Sequence, residues 1–230
     1  DVMRENEGVE VQQRKVELPT FGTVHLPEDS IRIADIKDFD KHSLSVLEYM
    51  AARNLNIDDT DYYWSPQLGY RERLIIPFRY EGRIVGYTAR TVGENKPKYL
   101  TDSQPGFVYG LDEQREKKTF TLVCEGPIDA LHIEGCALTG SDIGDAQALL
   151  LNRLGKDIYV IPDRDKAGSK LVEQAIDRGW GVSLPDWDAD INDIGECVTR
   201  HGRLYTLYNI VASAETSPLK IRLKAKKWFG

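Results

Sequence analysis

With 230 residues, 41% hydrophobic and 29% charged, the chain can bury one large core or two small ones. It has no apolar run near the roughly 20 residues a membrane span needs, and no secretory signal precedes the fold. The net charge of −7 would argue against nucleic acid if evenly spread, but 119–199 carries fifteen acids against six bases, and 71–98 seven bases against three acids.

The chain begins at Asp1 rather than Met, which reads as a piece of a longer protein. Residues 1–37 are polar, broken by Pro19 and Pro27, and read as a linker or extended lead-in. Over 41–54, Leu44, Leu47, Met50 and Ala51 fall at helical spacing, with Asp40 placed to cap. Tyr62, Tyr63 and Trp64 read as packing residues. Segments 74–80 and 83–91 predict two strands joined by a hairpin at Glu81-Gly82, and 98–100 a short third strand. A charged connector, 112–118, ends this half, so 38–118 reads as a small basic α+β subdomain.

From residue 119 the pattern becomes strand, helix, strand, helix. Strands are predicted up to 124 and over 136–139, 158–161 and 181–184, and helices over 128–134, 145–154 and 169–178. The alternation predicts a parallel sheet with right-handed crossovers over 119–199, followed by a helical basic tail over 200–230 with Lys220, Arg222, Lys224, Lys226 and Lys227. Cys124, Cys136 and Cys197 are widely spaced with no Cys-x-x-Cys pair, which argues against structural zinc and for a reducing cytoplasm.

The apolar run Phe120-Thr121-Leu122-Val123-Cys124 ends in Glu125-Gly126-Pro127-Ile128-Asp129. The run Ile158-Tyr159-Val160-Ile161-Pro162 ends in Asp163-Arg164-Asp165-Lys166-Ala167-Gly168. Buried parallel strands read this way, and ligands of open α/β sheets gather at their carboxyl ends. Glu125, Asp129, Asp163 and Asp165 would repel one another there unless a cation lay between them, and oxygen-rich sets suit Mg²⁺ or Mn²⁺. Taken singly, Glu125 also reads as a helix N-terminal acid and Asp163 or Asp165 as a cap. A third acidic cluster, Asp186, Asp188, Asp190 and Asp193, follows the fourth strand and reads either as a solvated turn or as further metal ligands.

Glu-Gly-x-x-Asp, then Gly140, then Asp-x-Asp-x-x-Gly resembles the Toprim signature of DnaG-type primases, type IA and II topoisomerases, OLD-family nucleases and small RNA-maturation nucleases. Upstream, Arg73-Leu74-Ile75-Ile76-Pro77-Phe78, Gly82, Gly86, Arg90, Lys96-Pro97-Lys98-Tyr99-Leu100 and Tyr109-Gly110-Leu111 resemble the amino-terminal subdomain of DnaG-type primase cores. Asp190-Ile191-Asn192-Asp193 is similar to the third acidic motif of bacteriophage primases and primase-helicases. The resemblance covers about residues 70–196. The sequence departs from it in lacking a zinc ribbon and a Walker loop, and in holding Pro127 and Asn192.

The resemblance implies an α/β Toprim fold, Rossmann-like, preceded by the basic subdomain. It implies a primase core that synthesises short RNA primers from ribonucleoside triphosphates on single-stranded DNA by metal-dependent nucleotidyl transfer. The alternatives are a Toprim nuclease and a non-catalytic nucleic-acid-binding module. Glu125, Asp163 and Asp165 are the implied catalytic residues, with Glu125 a ligand or a general base. Glu125, Asp129, Asp163, Asp165, Asp190 and Asp193 would hold two or more Mg²⁺ or Mn²⁺ ions, with no zinc. Arg73, Arg90, Lys98, Lys96 and Lys166 would contact nucleic acid or nucleotide. A replicative helicase, in cis or trans, is the implied partner, and a bacterial or phage-infected cytoplasm the implied setting.

Overall fold

A computed structural model describes residues 17–114 and 118–230. Most of the predicted lead-in, 1–16, lies outside the described residues. Its remainder packs on the first subdomain. Phe21 is buried with its ring edge-on to Tyr80 and Phe107, and the Val24 N–H donates to the Ile84 carbonyl.

The first sheet is antiparallel, ordered β1 (Ile31–Arg32), β2 (Tyr63–Trp64), β3 (Arg73–Tyr80), β4 (Arg83–Thr91), β5 (Tyr99–Asp102). The β3–β4 turn holds Glu81 at φ 50° and Gly82 at φ 73°, the left-handed pair that matches strand twist, and both N–H groups donate to the Asp112 carboxylate. Between β1 and β2, helix α1 (Lys41–Ala52) is capped by Asp40, whose carboxylate accepts from the N–H groups of His42 and Ser43. The helix buries Ser43, Val46 and Met50, while Leu44 and Ala51 face outward. The predicted stripe is thus rotated, because the Ser43 hydroxyl closes the cap and brings its own face to the core. The helix also stops two residues early, as Asn54 turns left-handed at φ 53°.

The second sheet runs β10-β9-β8-β6-β7, with β6 (Phe120–Cys124), β7 (Cys136–Ala137), β8 (Asp157–Val160) and β9 (Gly181–Ser183) parallel. Its antiparallel edge, β10 (Ala214–Glu215), comes from the tail. Helices α2 (Pro127–Ile133), α3 (Asp145–Asn152) and α4 (Lys166–Asp177) make the crossovers. Then come α5 (Ile194–His201), α6 (Arg203–Ser213) and α7 (Pro218–Phe229). Helix α4 starts three residues before the predicted 169, because Asp165 accepts from the Gly168 N–H at 2.8 Å and so starts the helix. A Cβ on Gly168 would lie 2.0 Å from the Asp163 carbonyl oxygen, so only glycine lets the helix close on the strand end. Strand β7 is shorter than predicted, as the chain turns left-handed at Thr139, φ 56°, although the Leu138 and Thr139 N–H groups still donate to the Cys124 and Glu125 carbonyls.

The two sheets share one core. Residues Phe107, Val108 and Tyr109 are buried between them. Phe107 stacks on Phe78 at 5.0 Å, and Tyr109 and Ala137 exchange backbone hydrogen bonds. The carboxyl ends of β6 and β8 therefore face the antiparallel sheet across a cleft.

Candidate active site

Strands β6 and β8 are direct neighbours, with Val123 opposite Val160 and the Ile161 N–H bonded to the Val123 carbonyl at 2.8 Å. Their ends therefore place Glu125 and Asp163 at one mouth. Asp129 stands on the first turn of α2 and accepts from the Gly195 N–H at 2.8 Å. Asp193 caps α5, accepting from the Glu196 N–H at 2.6 Å. The Asp129–Gly195 contact holds the amino end of α5 against the mouth and so adds Asp193 to the acidic set. The cleft, of about 360 Å³, is lined by Glu125, Asp129, Asp163 and Asp193 together with Arg53, Lys98 and Tyr99, and Arg53 sits beside Asp129 and Asp193 at Gly195.

These carboxylates hold protons more tightly than free ones. Burial, then the charges of Asp129, Glu125, Asp193 and Asp165, pushes Asp163 up to about 8. Burial and Asp193 raise Asp129 to about 7, against the opposing pull of the Gly195 N–H and Arg53. Burial and the Asp165 charge raise Glu125, and burial and Glu196 raise Asp193. The Glu125 Oε1 is buried without a hydrogen-bond partner among the described residues. Acidic oxygens that are crowded, desolvated and partly unpartnered fit a hard divalent cation. Among the described residues no three His, Cys, Asp or Glu side chains converge tightly enough to cage an ion.

The remaining predicted residues separate. Asp190 is exposed and held in a fork by Arg200, at 2.8 and 3.0 Å, outside the acidic set. Arg73 is buried, donating to the carbonyls of Gly69, Ala89 and Pro97, so its fork is filled by backbone. Arg90 lies over the Tyr99 ring at 4.8 Å and donates to the Tyr49 hydroxyl at 3.2 Å. Its Nη1 is buried without a partner among the described residues. Lys98 stands on the cleft rim near Tyr99, while Lys96 and Lys166 are exposed, in the β4–β5 connection and on the first turn of α4. Arg53, just past α1, was not anticipated. Burial acts to lower its proton affinity, but Tyr49, Asp193 and Asp129 outweigh it and the group is held charged. No motif marks Arg53, since it meets the acids only because the turn after α1 reaches α5, where Asn54 donates to the Val198 carbonyl.

No family model matches the chain. A DNA primase of Synechococcus elongatus is 34% identical over 125 residues, which is 46% of this chain and 18% of that relative. The chain therefore corresponds to a fraction of its curated relatives' length. A solved structure of the DnaG primase catalytic domain bound to ssDNA superposes with a TM-score of 0.63 over 82% of this chain and 77% of that one, at 18% identity. The fold is that of a DnaG primase catalytic core. The primase fragment of the bacteriophage T7 primase-helicase protein shares it at a TM-score of 0.52 and 19% identity, over 71% of this chain and 70% of that one. In this fold Glu125 and Asp163 stand at the ends of parallel strands, while Tyr99 comes from the antiparallel sheet, Lys98 from the residue before it, and Arg53 from the end of α1. No helix among the described residues is long and apolar enough to cross a membrane.

Proposed function

We propose that this chain is the RNA-polymerase core of a DnaG-type primase, joining ribonucleoside triphosphates on single-stranded DNA with release of pyrophosphate. The observation that carries this reading is the cleft itself. Glu125, Asp129, Asp163 and Asp193 crowd together with raised proton affinity, Arg53 lies beside them, and Lys98 and Tyr99 line the same cleft. A cleft that holds acidic and basic groups together suits metal-bound phosphates and a polynucleotide.

Asp163, Asp165, Asp129 and Asp193 would hold Mg²⁺ or Mn²⁺, two ions or more. Bound there, the ions would orient the triphosphate, lower the pKa of the primer 3′-hydroxyl and neutralise the leaving pyrophosphate. Glu125 offers the unpartnered Oε1, and we assign it proton acceptance from that hydroxyl. Its raised proton affinity brings it closer to the working pH of a base. Arg53 lies where it would meet the triphosphate. Arg90 is braced on Tyr99 and Tyr49, and with Lys98 it would hold template phosphates. We infer a replicative helicase, in cis or trans, as the partner, and a bacterial or phage-infected cytoplasm as the setting.

The test is ribonucleotide incorporation on single-stranded DNA with Mg²⁺ or Mn²⁺, wild type against Asp163→Ala. Loss of incorporation in the variant is expected, and equal activity would remove Asp163 from the site. Cleavage of the strand with no nucleotide added would replace the polymerase reading with a nuclease.

A further inference from the structure

Behind the acidic mouth lies a second and larger cleft, of about 530 Å³, between helix α7 and the loop after β9. Arg164, Lys224 and Lys227 line it with Asp186, Trp187 and Trp228. Arg164 separates Asp163 from Asp165, so this cleft begins at the backbone turn that carries two of the presumed metal carboxylates. The Arg164 guanidinium lies over the Trp228 ring at 4.5 Å, and the Trp228 indole N–H donates to the Pro185 carbonyl at 3.0 Å. Trp187 is only 6% exposed, yet its indole N–H has no partner among the described residues, and neither has the Arg164 Nε–H. Arg164 also donates from Nη1 to the Asp188 carbonyl at 3.0 Å, which fixes its guanidinium on the cleft wall. With Lys224 and Lys227 it gives the lining three cations beside the single carboxylate side chain of Asp186, a balance that suits an anionic ligand.

The shape of the charge narrows the class. Lys220, Lys224 and Lys227 follow one another at helical spacing on one stripe of α7, about 5.4 Å of rise per turn. Lys220 is turned toward Glu215 at 3.7 Å, and Lys224 reaches the Ser213 carbonyl at 3.3 Å, so Lys224 and Lys227 face the cleft itself. A row of cations with indole walls matches a row of phosphates with attached bases better than one compact anion. We propose that this cleft is a second nucleic-acid subsite, which grips the backbone of a single strand as it passes the 163–165 turn. The proposal rests on the polymerase reading for the presence of a strand at that turn. The 71–98 wall plays no part in it.

The test uses the whole chain. Binding of fluorescein-labelled oligothymidylate is followed by anisotropy across a salt series, for wild type, Lys224→Gln/Lys227→Gln and Lys224→Glu/Lys227→Glu. Both lysines are exposed, so the variants should fold, and an unchanged melting temperature checks this. Two lost phosphate contacts should lower the salt slope by about 1.4 and weaken binding by about 25-fold near 0.1 M salt. Charge reversal should cost more than neutralisation. The oligonucleotide should also quench tryptophan emission, since Trp187 and Trp228 line the cleft. The thermal shift produced by Mg²⁺ should be the same in all three proteins. Equal affinity and slope in all three would overturn the subsite while leaving the polymerase reading standing. Failure of the wild type to bind any oligonucleotide would overturn both. Quenching by a nucleoside triphosphate alone, with none by oligothymidylate, would overturn the strand assignment in favour of a mononucleotide.

Discussion

On the antiparallel sheet the charges that stand out in the sequence are largely engaged by the fold. Arg73 fills its fork with three backbone carbonyls, and Arg79 is paired with Asp61 at 2.9 Å. At the ends of β6 and β8 the reverse holds. Glu125, Asp129, Asp163 and Asp193 are kept close together, raised in proton affinity, with one buried oxygen unpartnered. The first arrangement stabilises the protein. The second destabilises it, and such a set persists where a ligand relieves it. Counting charges does not separate these cases, whereas partners and burial do.

The sharpest way to break the contrast is Asp163→Ala. Incorporation should fall by about a thousandfold, the scale of several kcal/mol of lost charge stabilisation. The metal-free variant should at the same time melt higher than wild type. Removing one repelling carboxylate should return on the order of 1 kcal/mol, which is about 2–4 °C for a chain of this size. A variant that is both inactive and less stable would mean that Asp163 is structural. Arg73→Ala should do the opposite. It strands three carbonyls, and the urea midpoint should drop by the equivalent of about 2–4 kcal/mol. The activity of the molecules that remain folded should be retained. Loss of template affinity at unchanged stability would restore Arg73 to the nucleic-acid surface.

The pH dependence sharpens the same contrast. Asp163 takes up its proton at about 8 in the fold against the usual 3.8, so between these values the folded protein binds more protons than the unfolded chain. Stability contributed by this group therefore falls as pH rises from about 4 to 8. With chelator present, the difference in urea midpoint between wild type and Asp163→Asn should widen over that range. Mg²⁺ should close the gap at pH 8 and do little at pH 5, where protons compete for the same oxygens. A gap that does not vary with pH would mean that neither burial nor the neighbouring acids raise the proton affinity of Asp163 in the fold.

The parts of this architecture that were legible from sequence are those written in local pattern. The apolar runs ending in Glu125 and Asp163 announced two buried parallel strands, and Glu81-Gly82 announced the hairpin, because side-chain period and turn chemistry are properties of neighbours in the chain. What escaped depends on distant partners. Arg53 reaches the acids only because the turn after α1 reaches α5, where Asn54 donates to the Val198 carbonyl across 144 positions. The engagement of Arg73 depends on where Gly69, Ala89 and Pro97 fall in space. On helix α1 Met50 and Leu47 turn to the core as read, while Leu44 and Ala51 face out and Ser43 and Val46 are buried instead, since a cap hydroxyl at Ser43 does not look apolar.

The smallest predicted effect tests the finest distinction, that between Asp190 and Asp193. Both belong to one acidic segment, and the loop geometry sends them in different directions. Asp193 caps α5 and raises the proton affinity of Asp129 beside it. Asp190 is exposed, and the Arg200 fork lowers its proton affinity. A carboxylate already satisfied by a guanidinium has little to offer a metal, whereas a crowded one has more. Asp190→Asn should therefore leave incorporation within about twofold, as for a solvent-exposed ion pair. Asp193→Asn should raise the Mg²⁺ concentration needed for half-maximal activity by about tenfold, a coupling near 1.4 kcal/mol. Equal Mg²⁺ requirements in the two variants would mean that the loop rearranges when the ion binds, with Arg200 giving up Asp190 to the site.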